Sequence, residues 1–107
     1  MMVSRLEVGR LKEMLDHGED LVVLDVREPE EIAFATMPGA VAIPMGDIPQ
    51  RLAELDAARP TAVLCHHGMR SAQVAAFLVQ SGFVQVWNVA GGIDAWSNLI
   101  DPSVRRY

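Results

Sequence analysis

The sequence predicts an α/β fold with a mostly parallel sheet, and three observations carry that reading. Short apolar runs suited to strands alternate along the chain with amphipathic stretches suited to helices. The strand-like runs are nearly continuous: residues 21–26 read Leu-Val-Val-Leu-Asp-Val, as strands do when both faces are covered. The chain has 107 residues, half of them hydrophobic and 21% charged, which is long enough for one continuous core and too apolar for disorder. A single domain over residues 1–107 is therefore expected.

The elements follow in order. Val8, Leu11, Met14 and Leu15 share one helical face, and Gly18 supplies a C-terminal cap. Residues 21–26 form a buried strand. Pro29 suits the first turn of a short helix over residues 28–35. Pro38-Gly39 makes a turn, and residues 40–43 read as a strand stopped by Pro44. Asp47 is placed to cap a helix running to about residue 56, with Ile48, Leu52 and Leu55 on its buried side. Residues 61–64 are a strand. A helix from near Ser71 turns Val74, Ala75, Leu78 and Val79 inward and ends at Gly82. Residues 84–89 form the last strand, Gly91-Gly92 a turn, and residues 93–99 a short helix, with Trp87 and Trp96 read as packing.

Composition excludes several functions. The net charge is −5, so no nucleic-acid partner and no anionic membrane surface is expected, because both require a basic face. One cysteine rules out an internal disulfide and any multi-thiolate zinc site. Acidic residues begin by Glu7 and no apolar run reaches membrane-spanning length, so a cytoplasmic, reducing location is the expectation.

The chemistry concentrates in Cys65-His66-His67-Gly68-Met69-Arg70-Ser71. Strand, short glycine-containing loop and helix follow one another here, which aims backbone N–H groups and a helix N-terminus at one sulfur. In open parallel sheets, ligands bind beyond the carboxyl ends of the strands, and Cys65 stands at such an end. A lone cysteine is more often packing than chemistry. His66, His67 and Arg70, however, are poor core residues and place the segment at an exposed edge. Gly68 permits backbone conformations that a tight anion-binding loop needs. Arg70 offers a forked cationic donor for an anion, although pairing with a nearby carboxylate is the alternative.

His66 and His67 shape the pocket mouth or favour the thiolate; with Cys65 they are too close in sequence to converge on one ion, so no metal is expected. Ser71 either donates to the thiolate or caps the helix. Asp25 ends a strand beside the site and can reach loop amides. Arg27 is expected in a structural ion pair, with Glu31 a candidate partner. Both read as supporting scaffold.

At these residues the chain resembles single-domain rhodaneses, the family of thiosulfate and related sulfurtransferases. The resemblance covers residues 6–99, leaving 100–107 as a tail. It rests on Leu24-Asp25-Val26-Arg27-Glu28 with Glu30-Glu31, on Pro38-Gly39-Ala40 with Ile43-Pro44, on Cys65 through Ser71, and on Gly82-Phe83 with Gly91-Gly92-Ile93-Asp94-Ala95-Trp96. Ala35-Thr36-Met37 departs from the pattern, since Thr36 stands where the family has histidine.

The resemblance implies a three-layer sandwich around a central five-stranded sheet. It also implies sulfur transfer from a small anionic donor such as thiosulfate to a thiophilic acceptor (cyanide, a thiol or a protein thiol) through a persulfide on Cys65. The amides of His66 to Ser71 would cradle that persulfide, Arg70 would hold the donor, and no cofactor is required. Four residues separate Cys65 from Arg70, one fewer than in the related dual-specificity phosphatases, whose phosphate needs a wider amide ring. A non-catalytic binding or regulatory module on the same fold is the alternative, and a phosphatase or arsenate-handling enzyme is a third reading. The oligomeric state is not legible in the sequence.

Overall fold

Alternation of faces along the strands divides the core in two. The computed structural model describes residues 3–107; Met1 and Met2, within the expected domain, lie outside the described residues. In β2 (Val22–Asp25), Val23 packs into one hydrophobic cluster and Leu24 into the other. In β4 (Thr61–Leu64), Ala62 and Leu64 face the first cluster while Val63 and the adjoining Cys65 face the second. Successive strand side chains point to opposite faces, so continuous apolar strands require helices on both sides.

The first cluster is closed by α1 (Val8–Asp16) and α5 (Gly92–Leu99) through Val8, Leu11, Met14, Ile93 and Trp96. The second is closed by α3 (Ile48–Arg51) and α4 (Met69–Gln80) through Ile48, Val74, Ala75 and Leu78. The expected three layers are therefore present. With β1 (Ser4–Leu6), β3 (Val41–Ala42) and β5 (Val86–Val89), the sheet has five strands in the order β1-β5-β4-β2-β3, and every described pairing is parallel.

Two local readings need correction. The run over residues 84–89 accounts for one of two paired strands; its partner β1, which pairs Ser4 with Trp87 and Leu6 with Val89, carries no sequence signal. Only Leu6 of its three residues is buried, too short an alternation to register. The helix expected from Asp47 to about residue 56 is instead a single α turn, α3, between 3-10 turns at Met45–Asp47 and Leu52–Glu54, and Asp47 makes no side-chain cap. Ile48, Leu52 and Leu55 fit a helix and a chain of tight turns equally over so short a stretch. The ends of α1 and α4 are as read: Gly18 and Gly82 adopt φ of 66° and 94°, and Glu19 and Phe83 donate back to Met14 and Leu78, closing both helices in Schellman geometry.

β4 lies at the sheet centre, so the loop beginning at Cys65 emerges in the middle of the carboxyl edge. Asp25 at the end of β2 is in register with Leu64, and Asn88 in β5 with Val63. Among the described residues, no helix is long and apolar enough to cross a membrane.

Candidate active site

Cys65 is the first residue after β4 and only 1% exposed. The chain turns sharply through His66 and His67 to Gly68, whose φ of 114° places it in left-handed territory as the N-cap of α4. A side chain would be strained there. No side chain caps α4, which leaves its first N–H groups for the loop. The Gly68 N–H donates to Cys65 Sγ at 3.0 Å, and Ser71 Oγ lies 3.2 Å from the sulfur. Burial alone would push the Cys65 thiol up. The Ser71 hydroxyl and the backbone N–H groups of Ser71, Gly68 and Arg70 outweigh it, and the thiol is held below its ordinary value.

Asn88 sets the direction of this network, a role the sequence reading missed. Its Nδ2 donates to Gly68 O at 3.0 Å, which turns its Oδ1 toward Ser71 Oγ at 2.5 Å. A serine hydroxyl has one proton. In the thiol form that proton goes to Asn88 and Ser71 Oγ accepts from Cys65; on ionisation it turns to the sulfur. A polar residue near the end of an apolar strand was the available signal. Ser71→Ala should therefore move the pH midpoint of Cys65 alkylation by iodoacetamide upward, slowing alkylation at neutral pH while leaving the plateau at high pH.

The loop is anchored from below by α5. Ile93 N–H donates to Cys65 O at 2.8 Å and Asp94 N–H to His66 O at 3.1 Å. This approach requires Gly92, whose added Cβ would lie 2.4 Å from each of those carbonyl oxygens. The sequence shows Gly91-Gly92 only as a turn; its job here is to let one backbone reach another.

A cavity of about 360 Å³ opens above the sulfur, lined by Cys65, His66, His67, Met69, Arg70 and Gln73. His66 is stacked between His67 and Tyr107, with centroids 3.9 Å away on both sides, and its Nε2 is buried without a hydrogen-bond partner. His66, His67 and Asp94 bring potential ligand atoms within 4.8 Å of one another, but the two imidazoles lie at only 27° and Asp94 already engages Arg106. Stacked rings direct their nitrogens alongside one another rather than at a common point.

Arg70 does not stand free. Its Nη1 and Nη2 donate to the two oxygens of Glu31 at 2.6 and 2.9 Å, so the carboxylate alternative is the one observed. Arg70 pushes the Glu31 carboxyl down to about 2 against the opposing effect of burial, helped by the Glu28 N–H and the Tyr107 hydroxyl. Because the folded value is depressed, the stabilisation is complete above the ordinary carboxylate range and fades as pH falls toward 2.

Arg27 pairs with Asp25, not with the Glu31 carboxylate. Its Nε lies 3.0 Å from Asp25 Oδ1 and its Nη2 2.7 Å from Oδ2, with both side chains at most 2% exposed. Asp25 also accepts the Arg27 N–H, so its oxygens are turned to Arg27 rather than to the amides of the cysteine loop. Arg27 reaches Glu31 only at its carbonyl, while also donating to Ala35 O and Tyr107 Oη. Removing one partner of such a pair strands a buried charge. Arg27→Met should cost about 3 kcal/mol in urea unfolding, with Asp25→Asn added to it recovering part of the loss. Thr36 donates to Ile32 O and is exposed, so it ends the short helix α2 (Pro29–Phe34) rather than edging the pocket.

Cys65 directly follows β4 and Arg70 lies in the first turn of α4, and a rhodanese-like domain matches residues 7–99. The chain belongs to the rhodanese family. It is 40% identical over 102 residues to the putative sulfurtransferase YtwF of Bacillus subtilis, covering 95% of this chain and 98% of that protein. It is 38% identical to a sulfurtransferase of Allochromatium vinosum, over 90% of each. The crystal structure of a rhodanese-like domain protein from Staphylococcus aureus matches with a TM-score of 0.85 at 30% identity, over 98% of this chain and 99% of that one. At that level this rhodanese is a sulfurtransferase. Its Cys65 loop differs from a bare anion cradle in one respect: the arginine is already clasped by Glu31.

Proposed function

We propose that this chain moves sulfane sulfur by double displacement through a persulfide on Cys65. The observation that carries the reading is the sulfur's seat: buried at the start of α4, with the Gly68 N–H at 3.0 Å and the Ser71 hydroxyl at 3.2 Å. Such a thiol ionises readily, and the thiolate is the nucleophile.

In the first half-reaction the Cys65 thiolate attacks the outer sulfur of a donor such as thiosulfate. A new S–S bond forms, the donor's S–S bond breaks, and sulfite leaves with the electron pair. The persulfide anion takes the thiolate's place under the N–H groups of Ser71, Gly68 and Arg70. In the second half-reaction a thiophilic acceptor attacks the outer sulfur and the Cys65 thiolate departs. Cyanide gives thiocyanate; a small thiol or a protein thiol gives a new persulfide and suits a reducing cytoplasm better. The short interval from Cys65 to Arg70 favours one sulfur over a phosphate group.

The test is intact-protein mass spectrometry after exposure to a panel of donors, followed by cyanide. The expected species is one sulfur atom heavier at Cys65 and returns to its starting mass as thiocyanate appears. Folded protein that takes up no sulfur from any donor would sink the proposal, and hydrolysis of an aryl phosphate dependent on Cys65 would replace it.

A further inference from the structure

We infer that Glu31, held in place by Tyr107, is a positioning and selectivity residue that turns this site away from small dianionic donors and toward hydropersulfides, R–S–SH. The inference rests on the proposed function, since it concerns which donor loads Cys65.

Among the described residues, Arg70 is the one Lys or Arg lining the cavity, and its charge is already matched. Both terminal nitrogens of its fork are engaged by the two Glu31 oxygens, the geometry in which arginine would otherwise grip an oxyanion. Glu31 is in turn held from two further sides. Glu28 N–H donates to its Oε1 at 3.0 Å and Tyr107 Oη donates to its Oε2 at 2.8 Å. The Tyr107 hydroxyl can give its proton to Glu31 because it accepts from Arg27 Nη1 at 2.9 Å. Arg27 is itself neutralised by Asp25. One hydrogen-bonded chain thus runs from a buried ion pair, through a tyrosine beyond the matched residues 7–99, to the arginine at the pocket.

The charge consequence is direct. With Cys65 ionised, the thiolate, Arg70 and Glu31 carry one net negative charge. Thiosulfate brings two more and must also compete with Glu31 for the guanidinium. A hydropersulfide brings at most one charge on its transferring sulfur, none in the S–H form that the thiolate attacks, and needs no oxyanion clamp. Cys65–S⁻ then attacks the terminal sulfur, the donor S–S bond breaks, and R–S⁻ leaves with the electron pair, giving Cys65–S–SH. Met69, 79% exposed at the rim, and Gln73 offer uncharged walls to the body of such a donor.

The experiment compares thiosulfate with cysteine hydropersulfide, whose body is a zwitterion. Rates of Cys65 loading are followed by mass spectrometry in wild-type, Glu31→Gln and Tyr107→Phe proteins. Glutamine's one carbonyl oxygen keeps the Glu28 N–H bond and with it the helix cap, while the charge and the acceptor facing Tyr107 Oη are removed. The wild type should favour the hydropersulfide in kcat/KM. Glu31→Gln should raise the thiosulfate-to-hydropersulfide ratio about tenfold, as expected for one unit charge a few ångströms from a dianion in a partly solvated site. Tyr107→Phe keeps the stack on His66 but removes one of the three holds on Glu31, and should raise the ratio about threefold. Added salt should speed thiosulfate loading in the wild type more than in Glu31→Gln, because screening relieves like-charge repulsion. A wild type that prefers thiosulfate, or a ratio unchanged in Glu31→Gln, would overturn this inference alone. Loading by neither donor would overturn this inference, and loading by no donor of the panel would overturn the proposed function with it.

Discussion

Cys65→Ser protein is expected to fold like the wild type and to transfer no sulfur. The substitution is nearly isosteric in a site only 1% exposed, so packing against Val63, Val74 and the rest of its cluster is kept. The new hydroxyl is not stranded: the Gly68 N–H and Ser71 Oγ already point at this atom. Stability should change by no more than about 1 kcal/mol. Chemistry changes far more, because an alkanol is essentially un-ionised at neutral pH, while the thiol is held below its ordinary value. Transfer should fall by at least about a thousandfold, to the assay floor. Thiocyanate release and a melting curve read the two halves separately, and residual transfer at more than a few per cent would remove Cys65 from the mechanism.

Gly92→Ala should damage fold and activity together. At φ 59° an L-residue is strained, by about 1–2 kcal/mol. The larger effect is steric: the Cβ would sit 2.4 Å from the carbonyl oxygens of Cys65 and His66 and 2.6 Å from the His66 carbonyl carbon. These are backbone atoms and cannot swing aside. Either α5 retreats, breaking the Ile93 and Asp94 bonds to the loop, or the loop moves and takes the sulfur out of its amide ring. A loss of about 4 kcal/mol or more is expected, lowering Tm by roughly 15–25 °C in a domain of this size. In the surviving folded protein, sulfur loading should slow by about a hundredfold. Gly39→Ala separates strain from clash, because Gly39 has φ 83° and nothing within 4 Å of its added Cβ; it should lose about 1 kcal/mol. A Gly92→Ala protein with wild-type melting and loading would show that the close approach is dispensable.

Much of this fold is legible in the sequence because it is local. Continuous apolar runs at β2 and β4 announce strands covered on both faces, and the periodic faces of α1 and α4 with Gly18 and Gly82 behind them announce capped helices. The cysteine loop can be read because strand end, turn and helix start are neighbours in sequence. β1 cannot, since three residues with one buried side chain make no pattern. The segment over residues 45–54 misleads because an apolar spacing of so few turns does not distinguish a helix from consecutive tight turns.

The partners of the charged residues are the least legible. The sequence suggests Glu31 for Arg27, yet Arg27 is held by Asp25, two residues away; Glu31 is held instead by Arg70, 39 residues on. Both candidates carry the right charge, and only the fold decides which carboxylate meets which guanidinium. Tyr107 gives no local signal for the same reason, and Asn88 gives only that of a polar residue in an apolar strand. Tyr107 joins the network by lying against His66 and reaching Arg27, 80 residues earlier in the chain.

Family, layer order and the loop that carries Cys65 are written in the chain itself, because periodicity, glycine placement and a contiguous loop are encoded within a few residues of one another. Folding in three dimensions settled three further matters: that Gly92 brings two backbones into contact, that Asn88 meets the Ser71 hydroxyl, and that Arg70 is met by a carboxylate. Those outcomes depend on the spatial convergence of distant segments, where a small change in position separates a hydrogen bond from no contact at all.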